Sequence, residues 1–316
     1  MAHDLTSPVF AGGKFNHPDK TADGADRASV PITQLETLWV NTGTLCNVEC
    51  VHCYIESSPT NDRLAYLTAE ELAPFLNEAK TMGASEIGFT GGEPFMNPDA
   101  AAMIEAALAN GFEVLVLTNA MRPMMRPRVQ SELLRLKELY PSKLILRVSI
   151  DHYTRDGHDE ERGAGAFDAG IEGLAWLIQN GFRVSIAGRS LSGESEQALR
   201  DGFCNLFAER SIPFDANDPA SLVIFPEMDE ARDVPEITTA CWSILNKNPA
   251  DIMCATSRML VKRKGAAGPK VLSCTLLPYD EQFEMGASLK EAVRPVKLNH
   301  PFCAQFCVLG GASCSG

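Results

Sequence analysis

The feature that most constrains the fold of this 316-residue chain is a regular alternation of short apolar runs with amphipathic stretches of helical length. The apolar runs lie at 37–41, 86–91, 113–119, 143–150, 183–188 and 221–226. Stretches between them, such as 68–83 and 97–111, open on Thr or Asn and close on Gly, as capped helices do. The alternation predicts a parallel sheet covered by helices, either open or rolled into a barrel.

Three cysteines, Cys46, Cys50 and Cys53, follow the first predicted strand within eight positions. In parallel sheets and barrels the functional residues lie at the carboxyl ends of strands, so this loop is a candidate site. A zinc ion would need a fourth ligand, which His52 could supply, although four ligands in eight residues would form a cramped tetrahedron.

Composition excludes several classes of protein. A formal net charge of −13 opposes binding of a nucleic-acid backbone, which is held mainly by clustered Lys and Arg. No apolar run reaches the roughly 18 residues of a membrane span, and the N-terminus lacks an export signal, so we predict a cytosolic protein without a membrane segment. In that setting ten cysteines in groups indicate metal sites rather than a disulfide framework.

The chain divides into four predicted segments. Residues 1–35 are polar and show no period, which is typical of a flexible leader or draped arm. Residues 36–226 form the alternating α/β unit. Residues 227–253 read as a linker with a short helix, and residues 254–316 as a small cysteine-rich module.

The spacing of Cys46, Cys50 and Cys53 resembles the signature loop of the radical S-adenosylmethionine (radical SAM) superfamily. Three further motifs of that family follow in order, each at the end of a predicted strand: GGEP at 91–94, TNA at 118–120 and SID at 149–151. The resemblance covers about residues 37–226 and implies a partial (β/α)6, TIM-like barrel.

The resemblance also implies the cofactors. In this family three thiolates hold a 4Fe-4S cluster and leave one iron for SAM, which explains three cysteines rather than four. One electron from the cluster cleaves SAM to methionine and a 5′-deoxyadenosyl radical, which removes a hydrogen atom from the substrate. We therefore expect an electron donor such as flavodoxin or ferredoxin.

Roles in SAM binding are implied for further positions that match the family motifs. The Glu93 carboxylate suits the ammonium of SAM, and Arg189 its carboxylate. Asn119, Ser149 and Asp151 also fit a purely structural role as caps of strand or helix ends. The full set comprises Tyr54, Gly91, Gly92, Glu93, Pro94, Asn119, Ser149, Asp151, Arg189 and Val223. Asp151, or Glu227 or Asp229 in the linker, could accept a proton during substrate oxidation.

The C-terminal cysteines resemble the twitch form of the SPASM extension found in some members of the family. Cys254 and Cys274 flank a predicted β-hairpin, and a short helix is expected at 288–293. The resemblance implies an auxiliary 4Fe-4S cluster held by Cys254, Cys274, Cys303 and Cys307, with Cys314 as an alternative ligand. A structural zinc ion on the same thiolates is the competing interpretation.

A fully ligated auxiliary cluster is suited to accepting or relaying an electron. We therefore predict a radical SAM oxidoreductase or maturase that oxidises or crosslinks a peptide or a small alcohol-bearing metabolite. A radical step in cofactor or tetrapyrrole synthesis is an alternative, and a non-catalytic metal-binding or redox-sensing module is an alternative of another class.

Overall fold

The predicted alternation is present in the computed structural model, which describes residues 13–190 and 193–311. The strands are β1 (Ser29–Val30), β2 (Thr37–Asn41), β3 (Glu86–Thr90), β4 (Glu113–Thr118), β5 (Leu144–Ser149), β6 (Arg183–Ser190), β7 (Leu222–Pro226), β8 (Ser257–Val261), β9 (Lys270–Leu272), β10 (Glu284–Gly286) and β11 (Val296–Lys297). The α-helices are α1 (Ala69–Thr81), α2 (Ala100–Ala109), α3 (Pro127–Leu139), α4 (Arg155–Arg162), α5 (Ala166–Gln179), α6 (Glu196–Glu209) and α7 (Cys241–Ile244).

Nine of the strands form one sheet in the order β10-β9-β8-β2-β3-β4-β5-β6-β7. The six strands predicted from the sequence, β2 to β7, pair in parallel with their sequence neighbours. Within the described residues the sheet does not close, since β7 and β10 remain its two edges. The fold is therefore the predicted α/β partial barrel.

The predicted hairpin of the C-terminal module extends this sheet. Strand β8 pairs in parallel with β2, with Thr37 opposite Ser257, and β9 and β10 follow in antiparallel pairs. The cysteine-rich segment thus shares a continuous hydrogen-bonded sheet with the barrel. This continuity places the C-terminal strands β8, β9 and β10 beside β2.

The two faces of the sheet have separate hydrophobic cores. Leu38 and Val40 in β2 belong to the large core beneath the helices. Trp39, between them, belongs to a smaller core with Leu115 and Met259 on the opposite face. This alternation follows the two-residue period of side chains along a strand.

Local signals set the helix boundaries. Helix α1 begins at a capping box, in which Thr68 accepts from the backbone N–H of Glu71 and the Glu71 carboxylate accepts from that of Thr68. Helix α4 begins at Thr154, whose hydroxyl accepts from the backbone of Gly157, and ends at Gly163. Helix α4 was not predicted as a separate element from the sequence.

Residues 13–35, called the N-terminal arm below, pack against later parts of the chain. Strand β1 pairs with β11, and Arg27 is buried in an ion pair with Glu236 at 2.5 Å. The arm therefore packs on both the linker and the C-terminal module.

The C-terminal module differs from its prediction in one element. Residues 288–293 form turns rather than the expected helix, with Ala292 donating to the Leu289 carbonyl. The helix of this module is instead a π-helix at Cys303–Leu309, which carries two of the predicted cysteine ligands. Across the described ranges no helix is long and apolar enough to span a membrane.

Candidate active site and auxiliary cysteine site

One pocket lies at the carboxyl ends of the barrel strands and contains the three N-terminal cysteines. Its volume is about 190 Å³. Seven other predicted residues line it with Cys46, Cys50 and Cys53: Tyr54, Gly91, Gly92, Asn119, Ser149, Asp151 and Arg189. Three others do not line it: Glu93, Pro94 and Val223. The structure therefore brings most of the predicted residues together at one pocket, and their roles in binding stay predictions.

The cysteine loop is held by backbone contacts on both sides. Val51 donates its N–H to the Glu161 carbonyl at 2.9 Å, and Ser57 donates to the Cys53 sulfur at 3.2 Å. Burial raises the pKa of the Cys46 thiol to about 12 and that of Cys50 above its ordinary value. These thiols therefore become thiolates only when a metal group stabilises the charge.

The two glycines of the GGEP motif allow the turn after β3 to press against the cysteine loop. A Cβ atom on Gly92 would lie 2.2 Å from the carbonyl oxygen of Leu45, and Gly91 has φ +131°. Gly92 and Glu93 donate their N–H groups to the carbonyls of Gly43 and Leu45. Glycine is thus required for the approach of two backbone segments.

The Glu93 carboxylate does not line the pocket but bonds to residues that do. It accepts hydrogen bonds from the Thr118 hydroxyl at 2.9 Å and from the Asn119 N–H at 2.9 Å, and it is 1% exposed. Burial raises its pKa to about 7. Glu93 thus ties the end of β4 to the turn after β3, and its contact with the ammonium of SAM stays a prediction.

Arg189, at the end of β6, presents unused donors at the pocket. Its Nη1 donates to the His52 carbonyl at 2.6 Å, and its guanidinium carbon lies 4.5 Å from the centre of the Tyr54 ring. Nε and Nη2 are buried and have no hydrogen-bond partner among the described residues. Buried unpaired donors are costly, so they mark where a ligand's acceptor atoms fit, as the carboxylate of SAM would.

Asp151 is paired with a residue that the sequence reasoning missed. Arg162, the last residue of α4, donates to both Asp151 carboxylate oxygens, at 2.6 and 3.0 Å, and also lines the pocket. Burial acts to raise the pKa of Asp151, but the charge and hydrogen bonds of Arg162 hold it below its ordinary value. This pairing opposes the hypothesis that Asp151 acts as a base.

The other polar side chains near the loop have structural partners. His52 Nδ1 lies 2.9 Å from the Glu161 carboxylate, which makes Glu161 the hydrogen-bond partner of this ring nitrogen. His158 accepts from the Asp151 N–H, and burial lowers its pKa to about 4, which keeps it neutral. Asn119 donates to the Asn47 side chain at 2.9 Å.

The pocket wall includes residues without a sequence motif. Phe225, two residues after the predicted Val223, contributes an apolar ring to the pocket wall. Trp39 and Asn41 reach the pocket from β2, and Thr275 and Leu276 reach it from the C-terminal module. Glu227 and Asp229 do not line it.

A second, smaller cavity contains the four predicted auxiliary ligands. Cys254, Cys274, Cys303 and Cys307 line a space of about 20 Å³. The other lining residues are mostly apolar and include Phe283, Leu298 and Phe302. Burial raises the pKa of Cys254 to about 11 and that of Cys303 well above its ordinary value. The alternative ligand Cys314 lies outside the described residues.

The spacing of the donors bears on the choice between a cluster and a single ion. In the part of the chain that the structure describes, no three Cys, His, Asp or Glu side chains converge closely enough to hold one metal ion. The four sulfurs surround a cavity instead. Four thiolates are the ligand set of a structural zinc ion as well as of a 4Fe-4S cluster, and the iron and zinc content of the loaded protein distinguishes the two.

The chain is similar to known proteins over part of its length. The chain is 32% identical to the antilisterial bacteriocin subtilosin biosynthesis protein AlbA of Bacillus subtilis over 45% of this chain and 30% of AlbA. It is 31% identical to Fe-coproporphyrin III synthase of Methanosarcina barkeri over 64% of this chain and 50% of that protein. The matches thus span half or less of these relatives.

A solved structure shares the fold. Streptococcus suis SuiB, bound to its precursor peptide SuiA, superposes with a TM-score of 0.58 at 14% identity, over 83% of this chain and 64% of SuiB. The sequence profile of the Radical SAM superfamily matches residues 40–201, which is just over half of the chain and contains the three-cysteine loop, GGEP, TNA and SID. The chain therefore belongs to the radical SAM superfamily and is an enzyme that uses SAM and a 4Fe-4S cluster.

Proposed function

We propose that this enzyme oxidises or crosslinks its substrate by hydrogen abstraction, and that an auxiliary 4Fe-4S cluster takes up or relays an electron. The observation that carries the proposal is the pair of cysteine cavities, one with three thiols and one with four. When bound at the three-cysteine site, SAM and the cluster supply the radical. The redox-sensing alternative is set aside, because the chain belongs to an enzyme superfamily.

The residues of the first pocket would bind and orient SAM. The buried Nε and Nη2 groups of Arg189 suit its carboxylate, and the Tyr54 and Phe225 rings offer apolar surface for its adenine. Asp151 and Arg162 neutralise each other, so the pocket gains polar contacts without an uncompensated charge. We place the substrate in the remaining part of this pocket, which Trp39 and Asn41 also line.

Leu276 connects the two cavities, since it lines both. Its N–H donates to the Cys274 sulfur at 3.4 Å. An auxiliary cluster held by Cys274 would therefore sit next to the reaction pocket with one side chain between them. This proximity supports electron uptake from a substrate radical, which requires a short separation rather than direct binding.

We propose a peptide as the substrate, because AlbA acts in the biosynthesis of a bacteriocin. A small alcohol-bearing metabolite is the alternative substrate for the same oxidation. A tetrapyrrole step is a second candidate, and it is favoured by the similarity to Fe-coproporphyrin III synthase, which extends over 212 residues. A cytosolic location and a flavodoxin or ferredoxin donor remain predictions.

Anaerobic reconstitution with iron and sulfide, followed by dithionite and SAM, tests the catalytic proposal. We expect 5′-deoxyadenosine and about eight iron atoms per chain. About four iron atoms with one zinc ion would overturn the auxiliary cluster. To separate the substrates, the loaded enzyme is incubated with a short peptide encoded beside its gene or with iron coproporphyrin III. A mass decrease of the peptide from hydrogen loss supports the first candidate, and conversion of only the porphyrin supports the second.

A further inference from the structure

The π-helix at Cys303–Leu309 lies between the two cysteine cavities. Cys303 and Cys307 on this helix line the auxiliary cavity. Phe306, between them in sequence, has no solvent-exposed surface and lines neither cavity. Its contacts therefore connect the walls of the two sites.

Phe306 packs against two aromatic residues of the SAM pocket. Its ring stacks on that of Phe225, with centroids 5.8 Å apart and an interplanar angle of 24°. It meets the Tyr54 ring edge to face, with centroids 6.3 Å apart and an angle of 81°. Both arrangements are favourable for aromatic pairs. Phe306 thus supports the pocket wall from behind.

Displacement of the Tyr54 ring would disturb the pocket at several points. Tyr54 follows the ligand Cys53 directly, and its hydroxyl donates to the Pro226 carbonyl at 3.0 Å. The Arg189 guanidinium, with its two unpaired nitrogens, lies over the same ring. The position of Phe306 therefore affects a cluster-loop neighbour and the predicted partner of the SAM carboxylate together.

The helix itself is fixed by its surroundings on the linker side. The Gln305 side chain accepts from the Asp229 N–H at 3.0 Å and donates to the Asp229 carbonyl at 2.7 Å. On the other side, the helix supplies two of the four auxiliary thiols, and Cys254 and Cys274 come from outside it. A metal group that binds all four sulfurs would therefore also fix the position of the helix. π-Helical turns are frequent at functional sites.

We infer that Phe306 is a positioning residue that couples the two sites: a filled auxiliary site holds the π-helix, and the helix holds the Tyr54 and Phe225 wall for SAM. The inference rests on the proposed auxiliary cluster. We therefore expect SAM to bind more tightly when the auxiliary site is filled, although none of the four auxiliary cysteines lines the first pocket.

The test measures SAM affinity by calorimetry under anaerobic conditions, on reconstituted protein in the oxidised state. Phe306→Leu keeps an apolar side chain but removes the ring, and we expect SAM to bind about tenfold more weakly, with both clusters retained by EPR and iron content. Cys254→Ala removes an auxiliary ligand that lies outside the helix and should weaken SAM binding to a similar degree. Phe306→Leu in the Cys254→Ala background should add little, because the connection is already broken.

Leu309→Ala, on the same helix with a side chain that is 47% exposed, is the matched control and should bind SAM as the wild type does. SAM affinity of the Phe306→Leu protein within twofold of wild type, with both clusters loaded, would overturn the inference. So would full additivity of the two substitutions. If wild-type protein holds only about four iron atoms, the auxiliary-cluster proposal fails on its own, before any SAM titration.

Discussion

The two cysteine sites differ in the chemistry of their walls as well as in the number of their thiols. The first pocket is lined by both polar and apolar side chains and contains the ionic pair of Asp151 and Arg162, whereas the auxiliary cavity is lined mostly by apolar side chains. A pocket with charged side chains can bind a charged ligand such as SAM, whereas four thiols in an apolar cavity suit an enclosed metal group. The difference teaches that lining residues, together with cysteine count, distinguish a reactive site from an electron carrier.

The most severe effect is expected at the first site. Cys53→Ala removes one of three ligands, so the site should no longer cleave SAM, and 5′-deoxyadenosine should fall to the level of a no-enzyme control. Product is quantified by liquid chromatography after reconstitution. Substantial 5′-deoxyadenosine from this variant would show that SAM is not cleaved at the three-cysteine site and would contradict the distinction between the two sites.

Removal of an auxiliary ligand should leave the reaction with SAM intact. In Cys274→Ala we expect about four fewer iron atoms per chain, with 5′-deoxyadenosine still formed at saturating SAM and dithionite. The reason is that electron uptake from the substrate follows SAM cleavage. Iron analysis and product quantification are made on the same sample. Complete loss of 5′-deoxyadenosine in folded protein would show that SAM cleavage at the first site requires the auxiliary site.

The ionic character of the first pocket predicts a large effect on stability. Arg162→Met leaves Asp151, which is 2% exposed, without its partner, and should lower the free energy of unfolding by about 3–5 kcal/mol. Urea denaturation of the metal-free protein measures this change. Asp168→Asn breaks the exposed pair with Arg155 and serves as the control, with an expected loss below about 1 kcal/mol. Equal losses of unfolding free energy in the two variants would contradict the larger contribution that we assign to the buried pair of Asp151 and Arg162.

The contact between the GGEP turn and the cysteine loop predicts a smaller effect. In Gly92→Ala the new methyl group meets the Leu45 carbonyl, so the loop must shift, with a loss of about 1–3 kcal/mol in stability. Gly268→Ala, in the hairpin between β8 and β9, has open space around its Cβ and is the matched control. Urea denaturation compares the two. An unchanged free energy of unfolding in Gly92→Ala would mean that the cysteine loop tolerates displacement.

The regular part of the fold was predictable from local sequence. Strand β3 was expected at 86–91 and lies at Glu86–Thr90, because its short apolar run and the following GG turn are both local signals. The segment at 288–293 was predicted as a helix but forms turns, since six residues carry too little helical preference to override the surrounding loop. The π-helix at Cys303–Leu309 has no periodicity that identifies it in advance.

The location of the site was predictable from the family motifs. The positions of individual side chains were less predictable, because they depend on tertiary contacts. The direction of the Glu93 carboxylate depends on Thr118 and Asn119, which come from a different strand. Arg162 is visible in the sequence as a charged residue before Gly163, but its approach to Asp151 depends on the orientation of α4. Leu276 and Phe306 carry no chemical signal, and only packing reveals that they lie between the two sites.

The most direct measurement is anaerobic EPR of the dithionite-reduced protein, with and without SAM. For the wild type we predict two cluster signals, of which one changes on addition of SAM. In a variant with Cys46, Cys50 and Cys53 all replaced by Ala, one signal should remain and be insensitive to SAM. A SAM-dependent change of the signal in that variant, or a wild-type spectrum without any SAM-sensitive signal, would contradict the assignment of SAM to the three-cysteine site.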